Sequence, residues 1–179
     1  MRTKILLGLA ILVIAFCVVV ALQPAHFHVE RSAIVSAPAA EVFPHINDFQ
    51  KMQVWTPWKK LDPNAAYTFS EPTSGVGATM TWKGNSQAGE GRQTIVESRA
   101  NEAVGIRLDF IKPFESTCTT ALTLTPQGDQ TKVTWSMSGE NGFISKAFCL
   151  FMDQDKMIGE PFEEGLANLK TLVEKTAKN

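Results

Sequence analysis

Cysteine is scarce in this chain. Cys17, Cys118 and Cys149 are the only three among 179 residues, too few for a disulfide-stapled scaffold and without zinc-finger spacing. Histidine is equally thin. His26, His28 and His45 leave little material for a multi-ligand metal site, and His26-x-His28 has no third ligand near it in sequence. Neither sign of charge is in excess. Seventeen Lys and Arg face 18 Asp and Glu, for a formal net charge of −1, so there is no electrostatic footprint for nucleic acid. No Gly-rich loop opens a helix after a strand; Gly75-x-Gly77 and Gly89-x-Gly91 read as turn and bulge glycines. The signature turns of a Ser-His-Asp or Cys-His arrangement are missing. No repeat or low-complexity tract divides the chain. The composition is that of an ordinary globular domain, 44% hydrophobic, and calls for no metal and no cofactor.

What is there begins with an apolar run. Ile5 to Leu22 is 18 residues without a charged or polar side chain. As a helix rising about 1.5 Å per residue it covers about 27 Å, close to the thickness of a hydrocarbon core. Arg2 and Lys4 precede it, which favours a cytoplasmic N-terminus (residues 1–4), a transmembrane anchor (5–22), a linker (23–27) and a domain (28–176) outside the inner membrane, in the periplasm of a bacterium. A cleaved signal peptide competes with this reading. Its apolar region is ordinarily about 7–15 residues, shorter than this run, and Val19 and Ala21 followed by Gln23-Pro24 make a poor cleavage site. Without Arg2 and Lys4, 15 basic residues face 18 acidic ones, which does not suit docking through a basic cluster on anionic lipid.

The rest of the chain reads as α+β. Phe27–Ala37 alternates, with Phe27, Val29, Arg31, Ala33 and Val35 on one face. Two short helices follow, the first opened by Pro38 with Val42, Phe43 and Ile46 on its apolar face, the second over Phe49–Val54. Trp55-Thr56-Pro57-Trp58 ends the second. From Tyr67 to Gly139 the pattern is β throughout: strands over Tyr67–Ser70, Ala78–Lys83, Glu90–Ser98, Ala103–Phe110, Glu115–Thr125 and Thr131–Ser138, in a meander. Phe148, Phe151, Met152, Ile158, Phe162, Leu166, Leu169 and Val173 then recur at helical spacing, with Asp155 in a gap of the stripe and an expected kink or break at Gly159–Pro161. A long amphipathic helix must bury its stripe, and the concave face of a curved sheet is the one surface large enough.

These residues resemble a known family. The stretch Val29-Glu30-Arg31-Ser32-Ala33-Ile34-Val35-Ser36-Ala37-Pro38 is similar to the opening of the SRPBCC (START-like) superfamily, which includes the polyketide cyclase/dehydrase group. So are Glu41-Val42-Phe43, Asp48-Phe49 and Trp55-Thr56-Pro57-Trp58. Thr131-Lys132-Val133-Thr134-Trp135, the turn Gly139-Glu140-Asn141-Gly142-Phe143 and the run from Phe162 to Lys170 resemble its bacterial members. The resemblance implies a helix-grip fold: about seven antiparallel strands wrapped around a long C-terminal helix, with two short helices after the first strand. It implies a ligand class only broadly, because members bind lipids, sterols, polyketides or hormones.

Against that fold, an apolar pocket lining is expected from Trp55, Trp58, Met80, Trp82, Phe110, Trp135, Met137, Phe148, Phe151 and Met152. Methionine suits a pocket that adapts to shape, and Trp55 and Trp58 suit its entrance or the cap of the barrel end. Asp155 is the leading polar candidate, since a carboxylate on an apolar stripe needs a partner; Arg107 and Arg92 are the expected ones. Three function classes follow. The leading one is a membrane-anchored module holding a hydrophobic small molecule or lipid between sheet and C-terminal helix. The second is a cyclase or dehydratase using acid/base groups among His45, Arg107 and Asp155. The third is a protein-interaction module with a filled core, although no residue singles out a protein partner. Cys118 and Cys149 are expected as two separate buried thiols, their pairing left open by an extracytoplasmic location.

Overall fold

The structure, a computed structural model, describes residues 2–176. Helix α1 (Arg2–Ala21) is followed by strand β1 (His26–Val35) and two short helices, α2 (Ala39–Ile46) and α3 (Phe49–Trp55). A 3-10 turn (Pro57–Lys60) leads into β2 (Ala66–Phe69), β3 (Thr79–Lys83), β4 (Glu90–Arg99), β5 (Ala103–Lys112), β6 (Ser116–Gln127) and β7 (Gln130–Glu140). Two helices close the chain, α4 (Phe143–Cys149) and α5 (Gln154–Thr176). The seven strands form one antiparallel sheet in the order β1-β7-β6-β5-β4-β3-β2. This is the helix-grip architecture expected from the sequence.

Local chemistry explains the short elements. Pro38 sits at the N-cap of α2 with extended backbone, and Pro44 falls inside this eight-residue helix. Asp48 caps α3, its carboxylate accepting from the amides of Gln50 at 2.8 Å and Lys51 at 3.4 Å. On the sheet the inward positions are apolar in alternation: Val133, Trp135 and Met137 on β7, Leu122 and Leu124 on β6, Ile106 and Leu108 on β5. Helix α5 lies over the β1–β7 side and buries Phe162, Leu166, Leu169 and Val173 there.

The C-terminal stripe differs from expectation in two places. The helix does not break at Gly159 or Pro161; both lie inside α5. It breaks earlier, where the Asp153 carboxylate accepts from the Lys156 amide at 3.2 Å and caps a new helix. Phe148, Phe151 and Met152 therefore leave the buried stripe. Phe148 is 56% exposed and Phe151 80%, and Met152 is exposed as well. Gly159 is present for a close approach: a Cβ there would collide with the guanidinium of Arg31. Cys118 and Cys149 are both free thiols, Cys118 buried in β6 and Cys149 half-buried at the end of α4.

Candidate ligand cavity

The inner face of the sheet and the α3–3-10 segment enclose a cavity of about 200 Å³. Helix α3 and the 3-10 segment supply Phe49, Met52, Gln53, Thr56, Trp58 and Leu61. The sheet supplies Tyr67, Met80, Trp82, Gln93, Ile106, Leu108, Phe110, Thr120, Trp135 and Met137, and the β3–β4 turn adds Gln87 and Ala88. No described residue of α5 lines it. Trp135 explains why. Its ring stacks on Phe162 of α5 with centroids 4.1 Å apart and planes 5° from parallel. Trp58 meets both rings edge-on, at 6.3 Å from Trp135 and 6.5 Å from Phe162. This aromatic stack fills the space between β7 and α5, so the vacant volume is displaced towards β2–β5.

Of the expected pocket residues, Trp58, Met80, Trp82, Phe110, Trp135 and Met137 line this cavity. Trp55 does not; it is buried, packs edge-on against Trp135 at 5.3 Å, and donates its indole N–H to the His45 carbonyl at 2.9 Å. Phe148, Phe151 and Met152 lie outside on α4 and the segment after it.

The expected catalytic candidates also lie elsewhere. Arg107 is on the outer face of β5 and pairs with Asp109 at 2.9 Å. His45 sits in a separate pocket with Glu41, Val173 and Thr176. Its pKa is lowered, first by burial and then by the Lys51 charge. Asp155 pairs with neither Arg107 nor Arg92. Its carboxylate accepts from Arg31 Nη2 at 2.6 Å and Nη1 at 3.1 Å, while Arg31 Nε donates to Glu163 at 2.7 Å. The hydrogen bond from Arg31 holds Asp155 below the usual carboxylate range. Arg31 and Asp155 are the two polar exceptions of the strand face and the helix stripe, and they satisfy each other. That match was available in the sequence, where Arg31 already stands on the apolar face of its strand.

The polar inventory of the cavity is small and mostly amide or hydroxyl. Thr120 is committed: its hydroxyl accepts from Trp135 Nε1 at 2.9 Å and donates to the Ser136 carbonyl at 2.7 Å. Gln53 donates to the Met80 sulfur at 3.0 Å. The side chains of Tyr67, Gln87 and Gln93 have no hydrogen-bond partner among the described residues. Burial, and secondarily the Asp62 charge, raises the Tyr67 pKa, so the phenol stays a protonated donor near neutral pH. The wall is tied together by Asp62, whose carboxylate accepts from the Asn64 amide at 2.9 Å and the Asn85 amide at 2.7 Å, linking the segment after Leu61 to the β3–β4 turn. Gln93 was missed in the sequence although the signal is there: it occupies the inward register between Gly91 and Ile95 of β4, both buried.

With this geometry in hand, the known relatives can be placed. Residues 26–174 match the family described as polyketide cyclase / dehydrase and lipid transport. The chain belongs to that family. Its fold recurs in solved structures of low sequence identity. The Mll3558 protein of Rhizobium loti superposes with a TM-score of 0.60 at 18% identity, over 82% of this chain and 96% of its own. A Thermobifida fusca protein solved in solution gives 0.60 at 22%, over 83% and 93%. The CV1439 protein of Chromobacterium violaceum gives 0.59 at 16%, over 85% and 99%. No curated protein matches the chain.

Proposed function

We propose that this family member is a bilayer-tethered binding module that holds an uncharged hydrophobic molecule, a lipid or lipophilic metabolite, between the sheet and α3. The supporting observation is the lining itself. It is dominated by aromatic, methionine and aliphatic side chains, and none of its residues is Asp, Glu, His, Lys or Arg. A buried charge on a ligand would find no counter-charge there. A chain end or a small ring system can enter, with its polar head met by Tyr67, Gln87 or Gln93. At about 200 Å³ the cavity is smaller than the roughly 300–1,000 Å³ typical for drug-sized ligands, so larger guests require Met52, Met80 and Met137 to change rotamer.

The residues named for the cyclase or dehydratase reading, His45, Arg107 and Asp155, do not line this cavity, which favours the binding reading over it. The tether is supported by α1, the one described helix long and apolar enough to cross a membrane, and Arg2 and Lys4 support a cytoplasmic start with the domain outside the inner membrane.

The test is native mass spectrometry of the full chain released from detergent, followed by organic extraction. A co-purifying neutral lipid or lipophile near one per chain is expected. An apo mass, together with no uptake from a panel of fatty acids, neutral lipids and lipophilic dyes, overturns the reading.

A further inference from the structure

Helix α4 is an anomaly in this fold. Five of its seven residues are apolar, yet none is buried. Ile144 and Phe148 are one turn apart, and the chain continues helically through Phe151 and Met152, whose amides both donate to the Phe148 carbonyl at 3.0 Å. The result is one exposed apolar face made by Ile144, Phe148, Phe151 and Met152, with Phe143 beside it. A soluble surface rarely carries so contiguous a patch without a partner.

Two observations place this face. First, α4 packs against the last turn of α1. Val20, 0% exposed, is the only buried residue among those described in α1, and Lys146 of α4 donates to the Ala21 carbonyl at 3.4 Å. Second, only residues 22–25 separate α1 from β1, and the Asn141 amide just before α4 donates to the Ala25 carbonyl at 2.6 Å. The apolar face thus begins at the level where α1 ends. The same end of the domain holds the starts of β1 and β6 and the ends of β5 and β7. Exposed Phe114 projects from the β5–β6 connection there, and cavity residues Trp82 and Phe110 lie at that end by register with Gly91 and Ser116.

We propose that the α4 face, from Phe143 to Met152, docks on the surface of the bilayer that α1 spans, with Phe148 and Phe151 among the lipids. This rests on the tether reading above, not on what the cavity holds. A short linker cannot lift the domain clear of the membrane: four extended residues reach about 14 Å at most. Burying exposed aromatic and aliphatic side chains in the interface then favours one orientation, with one end of the cavity towards the lipid. No basic cluster is involved, so zwitterionic lipid is sufficient.

The experiment uses the full chain in phosphatidylcholine vesicles, with an environment-sensitive fluorophore on one cysteine at a time. The probes are native Cys17 in α1, Phe148→Cys, Phe151→Cys, and Val96→Cys, an exposed position towards the opposite end of the sheet. Cys149→Ser is present throughout, Cys17→Ser in all but the first, and buried Cys118 stays unlabelled. Nitroxide-bearing lipid is expected to quench the probes at 148 and 151 about as strongly as at Cys17, with little loss at 96. If Cys17 is quenched while 148 and 151 behave like 96, docking is overturned and the tether stands. If Cys17 itself is not quenched, tether and docking both fall. If 148 and 151 are quenched only by a nitroxide-labelled second copy, the face is a contact between chains and the proposal is overturned. Uptake of a fluorescent neutral lipid, a labelled diacylglycerol, in the same vesicles reports on the cavity separately: quenching at 148 and 151 without uptake supports docking and rejects the cavity reading.

Discussion

Gly91 and Gln93 show how individual residues shape the cavity. Gly91 faces Trp82 across the β3–β4 pairing, and a Cβ at Gly91 would strike the indole ring and come within 2.6 Å of the Asp109 carbonyl. Gly91→Ala therefore forces Trp82 to move. An overpacked inward position costs about 1–3 kcal/mol. The expected outcome is a melting temperature lower by roughly 2–12 °C for a domain of this size, together with changed tryptophan emission. An unchanged melting temperature and spectrum rejects the close approach. Gln93 offers the complementary test, because its amide faces the cavity without a partner. Gln93→Leu is expected to leave the fold intact and to weaken a ligand with a polar head about fivefold, the value of one net hydrogen bond, while a pure hydrocarbon guest binds as well or better. Both positions were legible as inward-facing from strand alternation. Their roles were not, because the role of each depends on the residue opposite it in the neighbouring strand, and register is a property of the assembled sheet. Cys118 makes the same point. Burial pushes its thiol up to about 11, so at pH 8 only about one molecule in a thousand carries a thiolate there. A maleimide at that pH should leave Cys118 unmodified in the folded chain and label it in urea.

At the scale of elements, the strands and the two short helices are legible to within a few residues because period-two alternation and capping residues are local signals. The division between α4 and α5 is not. Phe148, Phe151 and Met152 continue the apolar spacing of α5, and spacing alone cannot tell a buried stripe from an exposed one. The deciding signal is Asp153, a capping residue inside the gap that Asp155 also occupies. The first turns of α5 are then held by Arg31, which reaches from β1 to Asp155 and Glu163. Arg31→Ala is expected to lower hydrogen-exchange protection in residues 154–163 while α5 beyond Leu166 stays protected. The effect shrinks at high salt, because both carboxylates are exposed. Asp155→Asn should leave ligand uptake unchanged, since this pair lies outside the cavity. A loss of uptake with the fold intact would return Asp155 to the site.

The whole molecule adds a pH dependence that no single element displays. His45 has a lowered pKa in the folded state, first from burial and then from Lys51. A group whose folded pKa lies below its unfolded one contributes stability above the unfolded value, and that contribution is lost as pH falls through the folded pKa. The first acid window therefore opens below about pH 6.5, the ordinary imidazole value. Asp155, lowered by the hydrogen bond from Arg31, and Asp109, lowered first by the hydrogen bond from Thr117, have the same sign in a second window. Their unfolded value is about 3.8, so their contribution is present at pH 5 and is lost progressively below pH 4. Urea midpoints of the full chain should fall as pH drops below about 6.5, through His45, and fall further below pH 4, through Asp155 and Asp109. His45→Gln should remove the first step and leave the second. Because His45, Asp109 and Asp155 all lie outside the cavity, ligand uptake at pH 5 should match that at pH 7 wherever the protein is still folded. The charge-free lining itself requires this outcome. A ligand affinity that tracked the imidazole titration would mean that a titrating group reaches the ligand after all, and would return the acid–base reading to first place.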